Sequence, residues 1–111
     1  MKNSVEKHQI DKLLSEAQTQ EHIFWDKELV ISFKLKNGFT ILGRAACVDP
    51  NNFVLAVGRK YAREDAANQL WRLEGYLLQE KLFKEDLARS IIDDFNTIDE
   101  EFSQELRHPG F

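Results

Sequence analysis

The chain lacks most of the residues that announce a chemistry. Cys47 is the single cysteine among 111 residues, so no disulfide can close within the chain and no cysteine pair frames a zinc site. A lone thiol fits a reducing compartment. The two prolines and five glycines are too few and too scattered for a linker or a low-complexity tract. No apolar run approaches the roughly 18 residues of a membrane span. The start, Met1-Lys2-Asn3-Ser4-Val5-Glu6, has none of the apolar stretch of a secretory signal. These absences lead us to expect a cytoplasmic protein without a membrane partner.

An excess of positive charge is missing too. The net charge is −4, and residues 1–80 contribute 11 basic and 11 acidic side chains that cancel. The imbalance lies in residues 81–111, where Lys81, Lys84, Arg89 and Arg107 face eight carboxylates. A general nucleic-acid binder is expected to be basic, so the balance argues against that class. Apolar residues make up 42% and charged residues 31%, a globular composition, and the length suits one domain over residues 1–111.

Periodicity predicts an α+β fold. Asn3 and Glu6 form a helix start, and Ile10, Leu13, Leu14 and Ala17 recur at helical spacing, predicting a helix over residues 4–18 that ends in Gln18-Thr19-Gln20-Glu21. Leu29, Ile31, Phe33 and Leu35 then alternate with polar or smaller residues, as do Phe39, Ile41, Gly43, Ala45 and Cys47. Asn37-Gly38 suggests a two-residue hairpin turn, yet that register would set the two apolar series on opposite faces. A three-residue loop, Lys36-Asn37-Gly38, instead places Leu35 opposite Phe39 and Phe33 opposite Ile41, with Gly38 at positive φ. The result is a small antiparallel hairpin, or a three-stranded sheet if His22–Trp25 adds a strand.

Asp49-Pro50 reads as an N-cap followed by proline at the first helical position, with Val48 and Phe53 placed for a hydrophobic staple. A long helix is expected from Pro50 to about residue 81. Its apolar stripe runs Phe53, Val54, Val57 and Tyr61, then shifts to Leu70, Trp71, Leu73, Leu77 and Leu78, which predicts a bend or break between residues 67 and 73. Gly58 and Gly75 within this helix imply close packing against the hairpin. Leu87, Ala88, Ile91, Ile92, Phe95, Ile98, Phe102 and Leu106 then mark an amphipathic, acidic C-terminal helix, stopped by His108-Pro109-Gly110. Thr97 and Glu100 match a capping box, so this part is one long helix or two collinear ones.

Catalytic patterns are absent: no phosphate-binding glycine loop, nucleophile elbow or paired-histidine helix motif. His8, His22 and His108 fall on different elements, and Cys47 ends an apolar strand as a buried, inert thiol. We therefore expect no catalytic residue, no cofactor and no metal. The candidate binding residues are charged. Arg59, Lys60 and Arg63 share one helix face, which Arg44 on the outer hairpin face extends, a pattern suited to a phosphate backbone or an acidic protein patch. Asp93, Asp94, Glu100 and Glu101 supply an acidic face. Trp25 and Trp71 are expected in the core or at its rim.

Five blocks carry a family resemblance. They are Asp11–Ala17, Leu35-Lys36-Asn37-Gly38-Phe39-Thr40, Ala46-Cys47-Val48-Asp49-Pro50-Asn51-Asn52-Phe53, Gly58-Arg59-Lys60-Tyr61-Ala62 and Leu73-Glu74-Gly75-Tyr76-Leu77-Leu78. In this order and spacing they resemble the tailed-phage "gene 49/gene 66" family of short proteins, over about residues 10–82. Relatives often have an acidic residue and then serine where this chain has Arg44 and Ala45, and some have proline in place of Arg72. The resemblance implies a phage or prophage origin and the cytoplasm of an infected bacterium, and it brings no catalytic residue to carry over. Small phage proteins of this kind commonly act by binding. The expectation is a non-enzymatic accessory protein that binds a host or phage protein, as an inhibitor of a host enzyme or of antiviral defence. A nucleic-acid-associated protein using the basic helix face is the alternative. The C-terminal helix, residues 83–111, lies outside the resemblance and is a candidate homodimer element.

Overall fold

The computed structural model describes the backbone of residues 3–105 and the side chains of residues 3–97. Helix α1 (Lys7–Ser15) leads into strands β1 (Gln18–Phe24), β2 (Glu28–Lys34) and β3 (Thr40–Ala46), then a 3-10 turn at Pro50–Asn52 and helix α2 (Leu55–Glu105). This is the α+β fold expected, in its three-stranded form. The chain divides into two compact units, Met1–Tyr76 and Leu77–Phe111, and each is described by itself.

In the first unit β2 is the central strand, antiparallel to β1 and β3. Its pairing with β3 sets Phe33 opposite Ile41 and Ile31 opposite Gly43, the face-matching register. The Leu35 N–H donates to the Phe39 carbonyl at 2.8 Å, and Gly38 has φ 91°. Leu29, Ile31, Phe33, Leu35 and Ile41 are therefore buried together, joined by Ile10 and Leu14 of α1 and by Ala62, Ala66 and Leu70 of α2. Both helices cover one face of the sheet. Phe39, expected on that face, is exposed at the hairpin end.

Several local expectations are corrected. Helix α1 is shorter than residues 4–18, because Glu6 is the N-cap and its N–H donates to Gln9 Oε1 at 2.6 Å. Residues 18–21 belong to β1, whose pairing with β2 overrides their polar, non-alternating character. Trp25 is not in the core: it sits at the β1–β2 turn at φ 58°, with Asp26 at φ 54°. Asp49 does cap, accepting from the Asn51 N–H at 3.0 Å, but Pro50 opens a 3-10 turn and α2 begins only at Leu55. Val48 is exposed and forms no staple.

Helix α2 is uninterrupted from Leu55 to Glu105, so the expected break at residues 67–73 is absent. The apolar drift misleads because the packing seam is made of small residues. Gly58, Ala62 and Ala66, each four apart, bring the helix backbone close to the sheet, and Leu70 closes the row. A Cβ on Gly58 would touch Leu29 and Phe53 at 3.4 Å, whereas one on Gly75 would meet nothing within 4 Å. The restart at Thr97 is also absent, since its hydroxyl donates to the Asp93 carbonyl at 3.0 Å inside the same helix. The stop at His108-Pro109-Gly110 lies outside the described residues.

Candidate interaction surface

The charged residues singled out from the sequence do not form one basic patch. Arg59 points toward β1, where its Nε donates to Glu21 Oε2 at 3.1 Å and its Nη2 to Oε1, a two-point pair. That pair holds the Glu21 carboxyl below the usual glutamate range and raises Arg59 further. Arg63 reaches α1, its Nη2 lying 3.5 Å from the Asp11 carbonyl and 3.8 Å from Oδ1. Arg59 and Arg63 line a shallow hollow of about 410 Å³ with Thr19, Glu21, Ile31 and Phe33.

Arg44 lies on β3, where its Nε donates to Glu28 Oε2 at 3.0 Å. It lines a different hollow, of about 400 Å³, with Tyr61, Glu64, Asp65 and Asn68. Lys60 is exposed, its ammonium 5.8 Å from the neighbouring Tyr61 ring. Three of the four bases thus lie against a carboxylate of the same unit, Arg59 and Arg63 at one hollow and Arg44 at another.

The sequence pattern missed how α2 treats the free edge of β3. Asp65 Oδ2 accepts from the Arg44 N–H at 2.9 Å, and Gln69 Nε2 donates to the Leu42 carbonyl at 2.7 Å. These two side chains, four residues apart, satisfy backbone groups that would otherwise invite another strand. No periodicity signals such a contact.

With the small-residue seam and Leu70 against the sheet, several larger apolar residues at the start of α2 face outward. Val54, just before α2, and Val57 and Tyr61 within it, all on the expected apolar stripe, are 55%, 47% and 53% exposed. With Ala45, Ala46, Cys47, Asn52, Phe53 and Gly58 they border a niche of about 130 Å³, roomy enough for one aliphatic side chain. Cys47 is half-buried, not fully buried, and its thiol donates to the Asp49 carbonyl at 3.2 Å. Neither His8 nor His22 joins it: both are exposed, and His22 packs edge-on against Phe24 with centroids 4.4 Å apart. Among the described residues, no three His, Cys, Asp or Glu side chains gather as a metal site, and no helix is long and apolar enough to cross a membrane.

The second unit carries its own apolar surface. Leu87, Ile91 and Phe95, each four apart on one helix face, are 48%, 57% and 68% exposed. Asp93 and Asp94 are exposed beside them. The side chains of Glu100 and Glu101 lie outside those described.

The profile of the phage protein (N4 Gp49/phage Sf6 gene 66) family matches residues 2–82, and the chain belongs to that family. No curated protein and no solved structure matches it. The matched stretch contains the whole of the sheet, the niche and the edge-capping pair, and it ends before Leu87, Ile91 and Phe95.

Proposed function

We propose that this phage protein is a non-enzymatic accessory factor of the infected bacterial cytoplasm that binds a protein target, inhibiting a host enzyme or an antiviral defence. One observation carries the reading: Val54, just before α2, and Val57 and Tyr61 in its first turns are turned to solvent around a niche, while Gly58, Ala62, Ala66 and Leu70 face the core. Exposed Val54, Val57 and Tyr61 around a side-chain-sized hollow have the character of an interface core with an anchor pocket. The acidic face at Asp93, Asp94, Glu100 and Glu101 is a second contact region toward a basic partner. A homodimer through the C-terminal helix belongs to the same reading.

Affinity capture from infected cells, with and without nuclease, tests it. The expected result is one protein retained in both arms by the native chain and lost with Val57→Asp. Retention that disappears with nuclease and falls steeply with salt would favour a nucleic-acid-associated protein using Arg44, Arg59, Lys60 and Arg63.

A further inference from the structure

We infer that residues 77–105 of α2 pair with the same segment of a second copy of this chain, the two helices running antiparallel. The inference rests on the self-association part of the reading above and adds its geometry. It does not depend on the identity of any target.

The need for a cover comes from the second unit itself. Besides Leu87, Ile91 and Phe95, Leu77, Phe83 and Ile92 are 58%, 56% and 58% exposed, so six large apolar side chains among the described residues of the segment stand in water. Ile98 and Phe102 continue the four- and three-residue spacing in the sequence. Isolated helices of this length are marginal because nucleation is unfavourable. Here the helix is already nucleated, since α2 runs without interruption from Leu55. The segment is about 43 Å long at the helical rise of about 1.5 Å per residue.

Charge selects the occupant and its direction. Residues 77–89 hold three bases, Lys81, Lys84 and Arg89, and three acids, Glu80, Glu85 and Asp86. Residues 90–105 hold six acids, Asp93, Asp94, Asp99, Glu100, Glu101 and Glu105, and no base. A parallel pair would lay two halves of charge −6 side by side. An antiparallel pair lays each acidic half along the half that holds all three bases. Opposed like charges disfavour the first arrangement; the second sets each −6 half along a half of net charge zero whose three bases can reach its carboxylates. Lys84 and Arg89 are held only loosely within the helix, 4.0 Å from Glu80 and 3.4 Å from Asp86 at exposed positions, so they remain able to exchange onto a neighbouring helix. The same acidity repels nucleic acid from this face.

The full-length chain tests this by sedimentation equilibrium, joined to a distance between nitroxide labels at Gln79→Cys in a Cys47→Ser background. The expected mass is twice that of the chain. Ile91→Asp with Phe95→Asp should return it to the chain mass, while the amide spectrum of residues 7–70 stays native. In an antiparallel pair centred near residue 91, the labels stand beyond about 30 Å, from 24 residues at about 1.5 Å each. In a parallel pair they fall within about 20 Å, given helix axes about 8–10 Å apart. A monomer at all concentrations, or a dimer indifferent to the two aspartates, would overturn self-association through this face. A dimer with the short distance would overturn the orientation alone. Loss of target capture with an intact dimer would count against the target-binding reading, not against this one.

Discussion

Gly43 of β3 lies directly against the carbonyl of Ala62 on α2. A Cβ built on Gly43 would collide with the Ala62 oxygen, stand 2.9 Å from its carbonyl carbon and 3.2 Å from the Ala66 Cβ. The helix rides so close to the sheet because its seam is Gly58, Ala62 and Ala66, and the sheet answers with a residue that has no side chain. That closeness brings Asp65 and Gln69 within reach of the β3 edge and leaves Val57 and Tyr61 facing outward.

Three glycines should therefore respond differently to alanine in urea unfolding. Gly43→Ala should destabilise by about 1–3 kcal/mol or more, because backbone, not a mobile side chain, must move. Gly38→Ala should cost about 1–2 kcal/mol through its positive φ alone, since nothing lies within 4 Å. Gly75→Ala should stabilise by up to about 1 kcal/mol, having open space and a helical backbone. Equal effects at all three would refute the close helix–sheet contact.

The edge caps predict a local signature. The Arg44 amide, bonded to Asp65, should exchange slowly with deuterium in the native protein. Asp65→Ala should speed that exchange selectively and cost about 1 kcal/mol, leaving amides of β1 unchanged. Unaltered exchange at Arg44 would mean the carboxylate is not its partner in solution.

Acid should weaken one tie between β1 and α2. The Arg59 guanidinium lowers the Glu21 carboxyl, so the pair's contribution is complete above the ordinary glutamate value and is lost as pH falls through the lowered folded value. Glu16, lowered chiefly by its hydrogen bond with Lys36, follows the same direction. Glu21→Gln should flatten the acid limb of stability against pH and leave the two proteins alike once Glu21 is protonated. A difference that persists at low pH would assign the effect to packing. Both carboxylates are substantially exposed, so salt should shrink the effect.

Much of the hairpin was legible because one argument, matching two apolar faces, decides the register at Phe33–Ile41 and Ile31–Gly43. Strand β1 was legible only at its end, His22–Phe24; residues 18–21 were not, because every residue from Gln18 to Phe24 is exposed and an edge strand in water needs no apolar alternation. The orientation of α2 failed for a related reason. Hydrophobic weight sits on Val57 and Tyr61, but proximity rewards Ala62 and Ala66, which hydropathy scarcely registers, beside Gly58, whose close packing the sequence does signal. The basic residues were seen and their partners were not, since Glu21–Arg59 and Asp11–Arg63 join elements 38 and 52 positions apart. The blocks carrying the family resemblance needed no tertiary knowledge, and the family match over residues 2–82 bears them out.

A charge-reversal variant of the acidic residues tests binding apart from folding. Reversing Asp93, Asp94, Glu100 and Glu101 to lysine should leave the amide spectrum of residues 7–70 native, because the described members are exposed and outside the core. It should weaken target capture. Unchanged capture would remove these carboxylates from the interface and direct attention to the niche.

The central claim is that a protein target is held through the outward apolar side chains of α2. Its most direct test is capture by tagged full-length protein during infection, after nuclease treatment and a high-salt wash, comparing the native chain with Val57→Asp and Tyr61→Ala. The account predicts one stoichiometric protein retained by the native chain, lost with Val57→Asp and at least tenfold weaker with Tyr61→Ala, an anchor loss of about 1.4 kcal/mol or more. Equal retention by all three chains, or nothing retained once nucleic acid is removed, would contradict it.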